Sequence, residues 1–231
     1  MKKLVFLTGA GISAESGITT FRDSGGLWEQ YPVEAVASIQ GYYRDPALVI
    51  QFYNERRRQL KTVEPNKAHQ LVAALEEKYD VCVVTQNVDN LHERAGSHRI
   101  IHLHGELTKA TSTDNPNDPS QVVTLADDED IHIGDKAKDG SQLRPFIVWF
   151  GEAVPMIELA AEAVSEADIV VVIGTSLNVY PAAGLLGYAR SGAQIYLIDP
   201  SPNNVPGYLP VHIIAKKATE GMQELYDKLT R

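Results

Sequence analysis

Two stretches of this sequence carry side chains suited to chemistry more than to packing. Thr85-Gln86-Asn87-Val88-Asp89-Asn90 sets amides and a carboxylate directly after the apolar run Val81–Val84, and the carboxyl ends of strands are where open α/β sheets hold ligands. A turn that uses Asn and Asp for local backbone bonds accounts for Asn90 but gives Gln86 and Asn87 no reason to be there. His104 stands just before Gly105, a position suited to general base work, since imidazole changes protonation near neutral pH. His102 and His104 would face one side of a strand, but no third ligand is close in sequence and no metal is read there.

Ahead of them, Gly9-Ala10-Gly11-Ile12-Ser13-Ala14 follows the apolar run Leu4–Leu7. A strand, a Gly-x-Gly turn and a helix start would aim N–H groups and the positive end of a helix dipole at one point, which suits a dinucleotide pyrophosphate. Gly9, Gly11 and Ala14 fit the G-x-G-x-x-A spacing, a weak signal alone because glycine pairs after apolar runs also arise as ordinary turns. A hydride-transferring enzyme would need a second strand ending in Asp or Glu about 20 residues on. The chain has instead Thr20-Phe21-Arg22-Asp23 and Gly25-Gly26-Leu27-Trp28, a polar loop with an aromatic ring and a guanidinium that could close over a cofactor.

The elements that must position these groups alternate in type. Apolar runs at Leu4–Leu7, Val81–Val84, Ile100-Ile101, Phe146–Phe150, Ile169–Ile173, Ile195–Ile198 and Val211–Ala215 read as strands. Helices fall between them, from Asp45-Pro46 to Leu60, after Asn66, near Pro155, from Pro181 to Arg190 and from about Thr219 to Leu229. Asp45 and Asn66 are N-caps and Pro46 suits a first helical position. This order predicts an α/β fold with a doubly wound, mainly parallel sheet. Tyr53 and Arg56, three apart, share one helical face, although Arg56–Arg58 also reads as a solvated basic stripe. Between Ala110 and Gln142 the sequence turns acidic and turn-rich, as expected of a solvated insertion, and its spacing does not match an EF-hand loop.

At 231 residues the chain can bury one sizeable core. A net charge of -9 excludes a general nucleic-acid surface, which needs clustered Lys and Arg, and favours a basic substrate. Cys82 is the single cysteine, so no disulfide forms within the chain and no cysteine-rich metal site exists; a reducing cytoplasm fits. No apolar run reaches the length of a membrane span, and the apolar core after Lys2-Lys3 is too short for an export signal.

Taken together, Gly9-Ala10-Gly11-Ile12-Ser13 with Phe21-Arg22, Thr85-Gln86-Asn87-Val88-Asp89, Leu103-His104-Gly105, Val148-Trp149-Phe150-Gly151-Glu152 and Gly174-Thr175-Ser176 resemble, in order and over nearly the whole chain, the sirtuin family of NAD-dependent protein lysine deacylases. The resemblance implies a Rossmann-like NAD-binding domain formed by residues 1–30, 66–107 and 144–231, and a small inserted helical domain formed by 31–65 and 108–143. It places the NAD pyrophosphate and its covering loop on Gly9, Ala10, Gly11, Ile12, Ser13, Thr20, Phe21, Arg22 and Trp28. Gln86, Asn87 and Asp89 would hold the nicotinamide and its ribose, with Asn87 and Asp89 counted among the catalytic residues. His104 would be the catalytic base. Gly174, Thr175, Ser176, Asp199 and a main-chain contact near Ala218 would hold the adenosine side. Val148, Phe150, Gly151 and Glu152 would form the strand edge that takes the acyl-lysine peptide.

In the family the acyl oxygen attacks the ribose carbon as nicotinamide leaves, giving free lysine and an O-acyl-ADP-ribose. Family members usually carry four zinc-binding cysteines, absent from residues 108–143 here, so a zinc-less small domain is expected. Tyr53-Asn54-Glu55-Arg56 resembles the Tyr-x-x-Arg pattern of members that remove succinyl and malonyl groups, with Ala37 at a small position of that pocket. Two further readings use the same cofactor site: a protein mono-ADP-ribosyltransferase and a non-catalytic NAD-binding module.

Overall fold

The computed structural model describes residues 1–18, 31–175, 182–202 and 210–231. Six strands form one sheet in the order β3-β2-β1-β7-β8-β9: β1 is Lys3–Thr8, β2 Asp80–Thr85, β3 Ile100–His102, β7 Ile169–Ile173, β8 Gln194–Ile198 and β9 Val211–Ile214. Every pairing in it is parallel. Strands covered on both faces are apolar almost throughout, and Ile169–Ile173 has no polar residue because all five positions are buried. The period of two divides each strand between two cores. Leu4, Phe6, Val81 and Val83 meet the helices Lys67–Ala74 and Ala218–Thr230 on one face. Val5, Leu7, Cys82 and Val84 meet the helix Ile157–Glu166 and the 3-10 segment Ala182–Tyr188 on the other. The helix expected over Pro181–Arg190 is thus a tighter 3-10 turn within its described part. Among the described residues no helix is long and apolar enough to cross a membrane.

A second sheet was not foreseen. β4 (Gly105–Ser112), β5 (Val123–Thr124) and β6 (Leu143–Ile147) pair antiparallel in the order β5-β4-β6. The strand placed at Phe146–Phe150 is therefore β6 and ends at Ile147; Phe150 makes only an isolated parallel bridge to Ser38. A third core, which includes Phe52, Tyr53, Leu107, Ile131 and Trp149, packs the helix Pro46–Leu60 against this sheet.

The acidic segment is tied down by specific contacts, which corrects its reading as a solvated excursion. Ile131 is buried in the third core, and both of its backbone groups are held by one side chain. Asn54 Nδ2 donates to the Ile131 carbonyl at 2.8 Å, and the Ile131 N–H donates to Asn54 Oδ1 at 3.1 Å. Arg57 is only 4% exposed and donates to the Glu129 carbonyl and to Asn54 Oδ1, both at 2.8 Å. So the basic run divides: Arg58 is exposed, while Arg57 is a buried strut. Nearer the sheet, Ser112 Oγ donates to Asp139 and accepts from the N–H groups of Asp114 and Asn115.

Replacing Asn54 with Ala orphans the Ile131 pair and one Arg57 bond. Each buried group left unsatisfied costs about 1–3 kcal/mol, so a clear fall in the thermal unfolding midpoint is expected. An unchanged midpoint would show that the clamp contributes nothing.

Candidate active site

Strand order reverses between β1 and β7, and the crevice beyond their carboxyl ends is where such sheets place ligands. Gly9 follows β1 and Gly174 follows β7. The Gly9 N–H donates to the Ile173 carbonyl at 3.0 Å and the Gly11 N–H to the Gly174 carbonyl at 2.9 Å. A Cβ on Gly11 would lie 2.6 Å from Gly174 Cα, and one on Gly9 2.8 Å from the Gly174 carbonyl oxygen. Gly174 itself has φ +61°, a left-handed conformation that favours glycine. The glycines are thus required because two backbones touch at the switch point. Their amides, expected to be open toward a phosphate, are already bonded to the end of β7.

The loop after β2 supplies the polar groups. Asn87 Nδ2 donates to the Gly9 carbonyl at 3.1 Å and to Ser13 Oγ at 3.2 Å, and Ser13 Oγ donates to Asp89 Oδ2 at 2.9 Å. Burial pushes the Asp89 carboxyl up from its ordinary range, against the Leu91 N–H and Ser13 bonds that favour its charge. Gln86 Nε2 donates to Thr175 Oγ1 at 3.0 Å and so joins the ends of β2 and β7.

His104 Nδ1 lies 3.0 Å from the Gln86 carbonyl. A carbonyl only accepts, so Nδ1 carries the hydrogen and Nε2 keeps its lone pair. Burial lowers the His104 pKa, partly opposed by the same carbonyl, and the ring stays neutral at neutral pH. His102 does not pair with His104. Its Nδ1 lies 3.2 Å from the next carbonyl, that of Asn87, and its Nε2 2.6 Å from Glu93 Oε1.

One cleft brings the distant groups together. Ala10, Ser13, Asn87 and Asp89 line it from the large sheet, and Arg56, Gln59 and Leu60 from the helix Pro46–Leu60. Arg56 Nη1 donates to Gln59 Oε1 at 2.9 Å; burial lowers its pKa, while Tyr53 and Asp89 pull it upward. Tyr53 is not among the lining residues. It sits in the core behind Arg56, its ring 5.1 Å from Phe52 and 6.1 Å from Trp149, and burial raises its pKa. Among the described residues the buried indole Nε1 of Trp149 has no acceptor in hydrogen-bonding geometry.

The segment Val148–Glu152 is less open than expected. The Val148 N–H donates to the His104 carbonyl and that of Phe150 to the Ala37 carbonyl, while Ile39 N–H donates to the Phe150 carbonyl. The Glu152 carboxylate, expected to meet substrate, accepts from Arg144 Nη1 and Nη2, at 2.7 and 2.9 Å, and from the Trp149 N–H at 2.8 Å. Gly151 takes φ +94° there. Asp199 follows β8, where its Oδ1 accepts from the Ser201 N–H, and Ala218 begins the last helix. Thr20, Phe21, Arg22, Trp28 and Ser176 lie outside the described residues. Arg144 and the buried His69, whose ring lies against Ser13, carry no signal in the sequence, because no local spacing marks partners so far apart in the chain; His92 packs, buried, against Thr8.

Residues 9–181 match the model of the Sir2 family. The chain belongs to the Sir2 family. Among its Sir2 relatives is an NAD-dependent protein deacylase of Bacteroides thetaiotaomicron, 62% identical over 226 residues that make up 97% of each chain. Another, from Helicobacter pylori, is 53% identical and covers 99% of this chain and 98% of its own. A Sir2 homologue crystallised with NAD superposes with a TM-score of 0.85 at 40% identity, covering 98% of this chain and 89% of that one. A Sir2 structure with a deacetylated p53 peptide and 3′-O-acetyl ADP-ribose superposes with a TM-score of 0.80 at 32% identity, covering 97% and 92%.

Proposed function

We propose that this Sir2 chain is an NAD-dependent protein lysine deacylase with a preference for acidic acyl groups, succinyl and malonyl, over acetyl. The names of its relatives support the deacylase activity. The acyl preference rests on one observation: Arg56 lines the same cleft as Asn87 and Asp89.

The residues present fit a dinucleotide. Gly9, Gly11 and Gly174 put no side chain over the switch point, and a buried amide and carboxyl stand beside it. When bound, NAD supplies a ribose carbon that becomes electrophilic as nicotinamide departs. Asn87, steadied by Gly9 and Ser13, orients the nicotinamide side, and Asp89 the ribose. His104 Nε2 takes a proton from a ribose hydroxyl. Gly174, Thr175, Ser176, Asp199 and the main chain at Ala218 serve the adenosine half, and Thr20, Phe21, Arg22 and Trp28 the cover. The acyl-lysine peptide lies along Val148–Gly151, with Glu152 holding that segment in shape through Arg144. In this reading residues 31–65 and 108–143 form the small domain that supplies the acyl pocket, and the enzyme works in the cytoplasm.

A succinyl or malonyl group ends in a carboxylate, and burying that charge unpaired is prohibitive. A guanidinium satisfies it with charge-assisted bonds; Tyr53 shapes the wall behind Arg56. Desuccinylation should therefore exceed deacetylation in kcat/KM. Arg56→Met removes a contact worth about 1.5–3 kcal/mol, so it should lower kcat/KM for the succinyl peptide by roughly 10–100-fold and leave the acetyl peptide within a few-fold. If both activities stayed unchanged, Arg56 would be an ordinary helix residue and the acyl preference would fall.

A further inference from the structure

His102 lies outside the machinery described above, yet both of its ring nitrogens are engaged. Nδ1 meets the Asn87 carbonyl at 3.2 Å and Nε2 meets the Glu93 carboxylate at 2.6 Å. Neither a carbonyl nor a carboxylate can donate, and a neutral imidazole has only one N–H. Satisfying both partners at once requires the imidazolium. We infer that His102 is a positioning residue of the reaction, an imidazolium strut between Glu93 and the Asn87 backbone whose proton sets the alkaline limit of activity.

The inference rests on the reading of Asn87 as the residue that orients nicotinamide. Asn87 is fixed at three points: its N–H donates to Thr85 Oγ1 at 3.0 Å, its side-chain amide bonds Gly9 and Ser13, and its carbonyl receives His102. The preceding carbonyl, that of Gln86, holds His104. Two consecutive peptide groups thus carry the base on one side and the strut on the other. Loss of the His102 proton leaves a lone pair against either the carboxylate or the carbonyl. The ring must then give up one bond, and the loop loses its brace at Asn87.

The surrounding charges favour the protonated ring. Glu93 on the helix Leu91–Arg94 and Glu106 on β4 draw the pKa up, with Lys109 bonded to Glu106 at 2.8 Å, while the neighbouring His92 is buried and Asp89 stands on the same loop. Burial alone would lower the His102 value, but the Glu93 bond and charge outweigh it and the net shift is upward. The Glu93 carboxyl is correspondingly held below its ordinary range, burial notwithstanding. His104 cannot supply the same limit, because its own pKa is lowered and it must be neutral to act. Activity should therefore fail on the acid side through His104 and on the alkaline side through His102.

The test uses the full chain with NAD and one acyl-lysine peptide, following nicotinamide release from pH 6 to 10. Glu93→Gln alters a side chain that is partly exposed, so the fold is kept, and thermal unfolding is recorded beside each rate. An opposite charge within about 4–6 Å raises such a pKa by roughly 1–3 units, so the midpoint of the alkaline limb should fall by about one unit or more in Glu93→Gln, through kcat and not the peptide KM. His102→Asn places an amide donor near the Nδ1 position but cannot titrate; it should stay within a few-fold of wild type at pH 7 and lose the limb. An alkaline limb unmoved in both variants, with Asn87→Ala defective in nicotinamide release, overturns the role of His102 alone. Normal nicotinamide release by Asn87→Ala overturns the reading of Asn87 and the inference with it.

Discussion

His104→Ala should lower deacylation by about 10²–10⁴-fold, the usual contribution of a general base, with the fold retained. Among the described residues the side chain makes one hydrogen bond, to the Gln86 carbonyl, and that bond directs the Nε2 lone pair away from the loop. Removing the ring leaves the Asn87, Ser13 and Asp89 bonds in place, so NAD binding should persist. The pH dependence follows from the sign of the shift. A histidine whose pKa is lowered by burial remains a base below its ordinary value of about 6.5, so the acid limb of kcat/KM should lie below that value and vanish in the variant. Turnover of an acyl peptide at the wild-type rate would remove His104 from its role.

The second large effect is on folding. Glu152→Ala should destabilise the protein by about 3–5 kcal/mol, the cost of breaking a buried pair and leaving one charge uncompensated. Arg144 is 1% exposed, and besides Glu152 its guanidinium meets, among the described residues, the Ile147 and Pro145 carbonyls and the faces of Trp149 and Tyr42, 3.6 and 5.7 Å from the guanidinium carbon to the ring centres. Without Glu152 that cation keeps no ion-pair partner among the described residues. Denaturant unfolding of the variant measures the loss directly. Unaltered stability with a raised KM for the acyl peptide would return Glu152 to the substrate-contact role first expected of it.

How much was legible in the sequence follows the physics of each element. The central strands announce themselves because burial on both faces makes them continuously apolar, as in Ile169–Ile173. β4, Gly-Glu-Leu-Thr-Lys-Ala-Thr-Ser, carries a mixed burial pattern and no apolar run, so its sheet could not be read. Asn87, Asp89 and His104 were legible as polar groups at strand ends, and the structure brings Asn87 and Asp89 into one cleft with Arg56. Gly9 and Gly11 were legible as a glycine turn after the first strand, and what approaches them in the structure is the backbone of Gly174. The Asn54 clamp on Ile131 and the Arg144–Glu152 pair were beyond reach, because the partners are chosen by tertiary packing and no periodicity encodes it.

The central claim, NAD-dependent deacylation, is tested most directly by mass spectrometry of a lysine peptide carrying succinyl, malonyl or acetyl, incubated with the protein with and without NAD. The account predicts free lysine, nicotinamide and the matching O-acyl-ADP-ribose in equal amounts, only when NAD is present, and fastest from the acidic acyls. Transfer of ADP-ribose to the protein or peptide with the acyl group left in place, or no nicotinamide released at all, would contradict it.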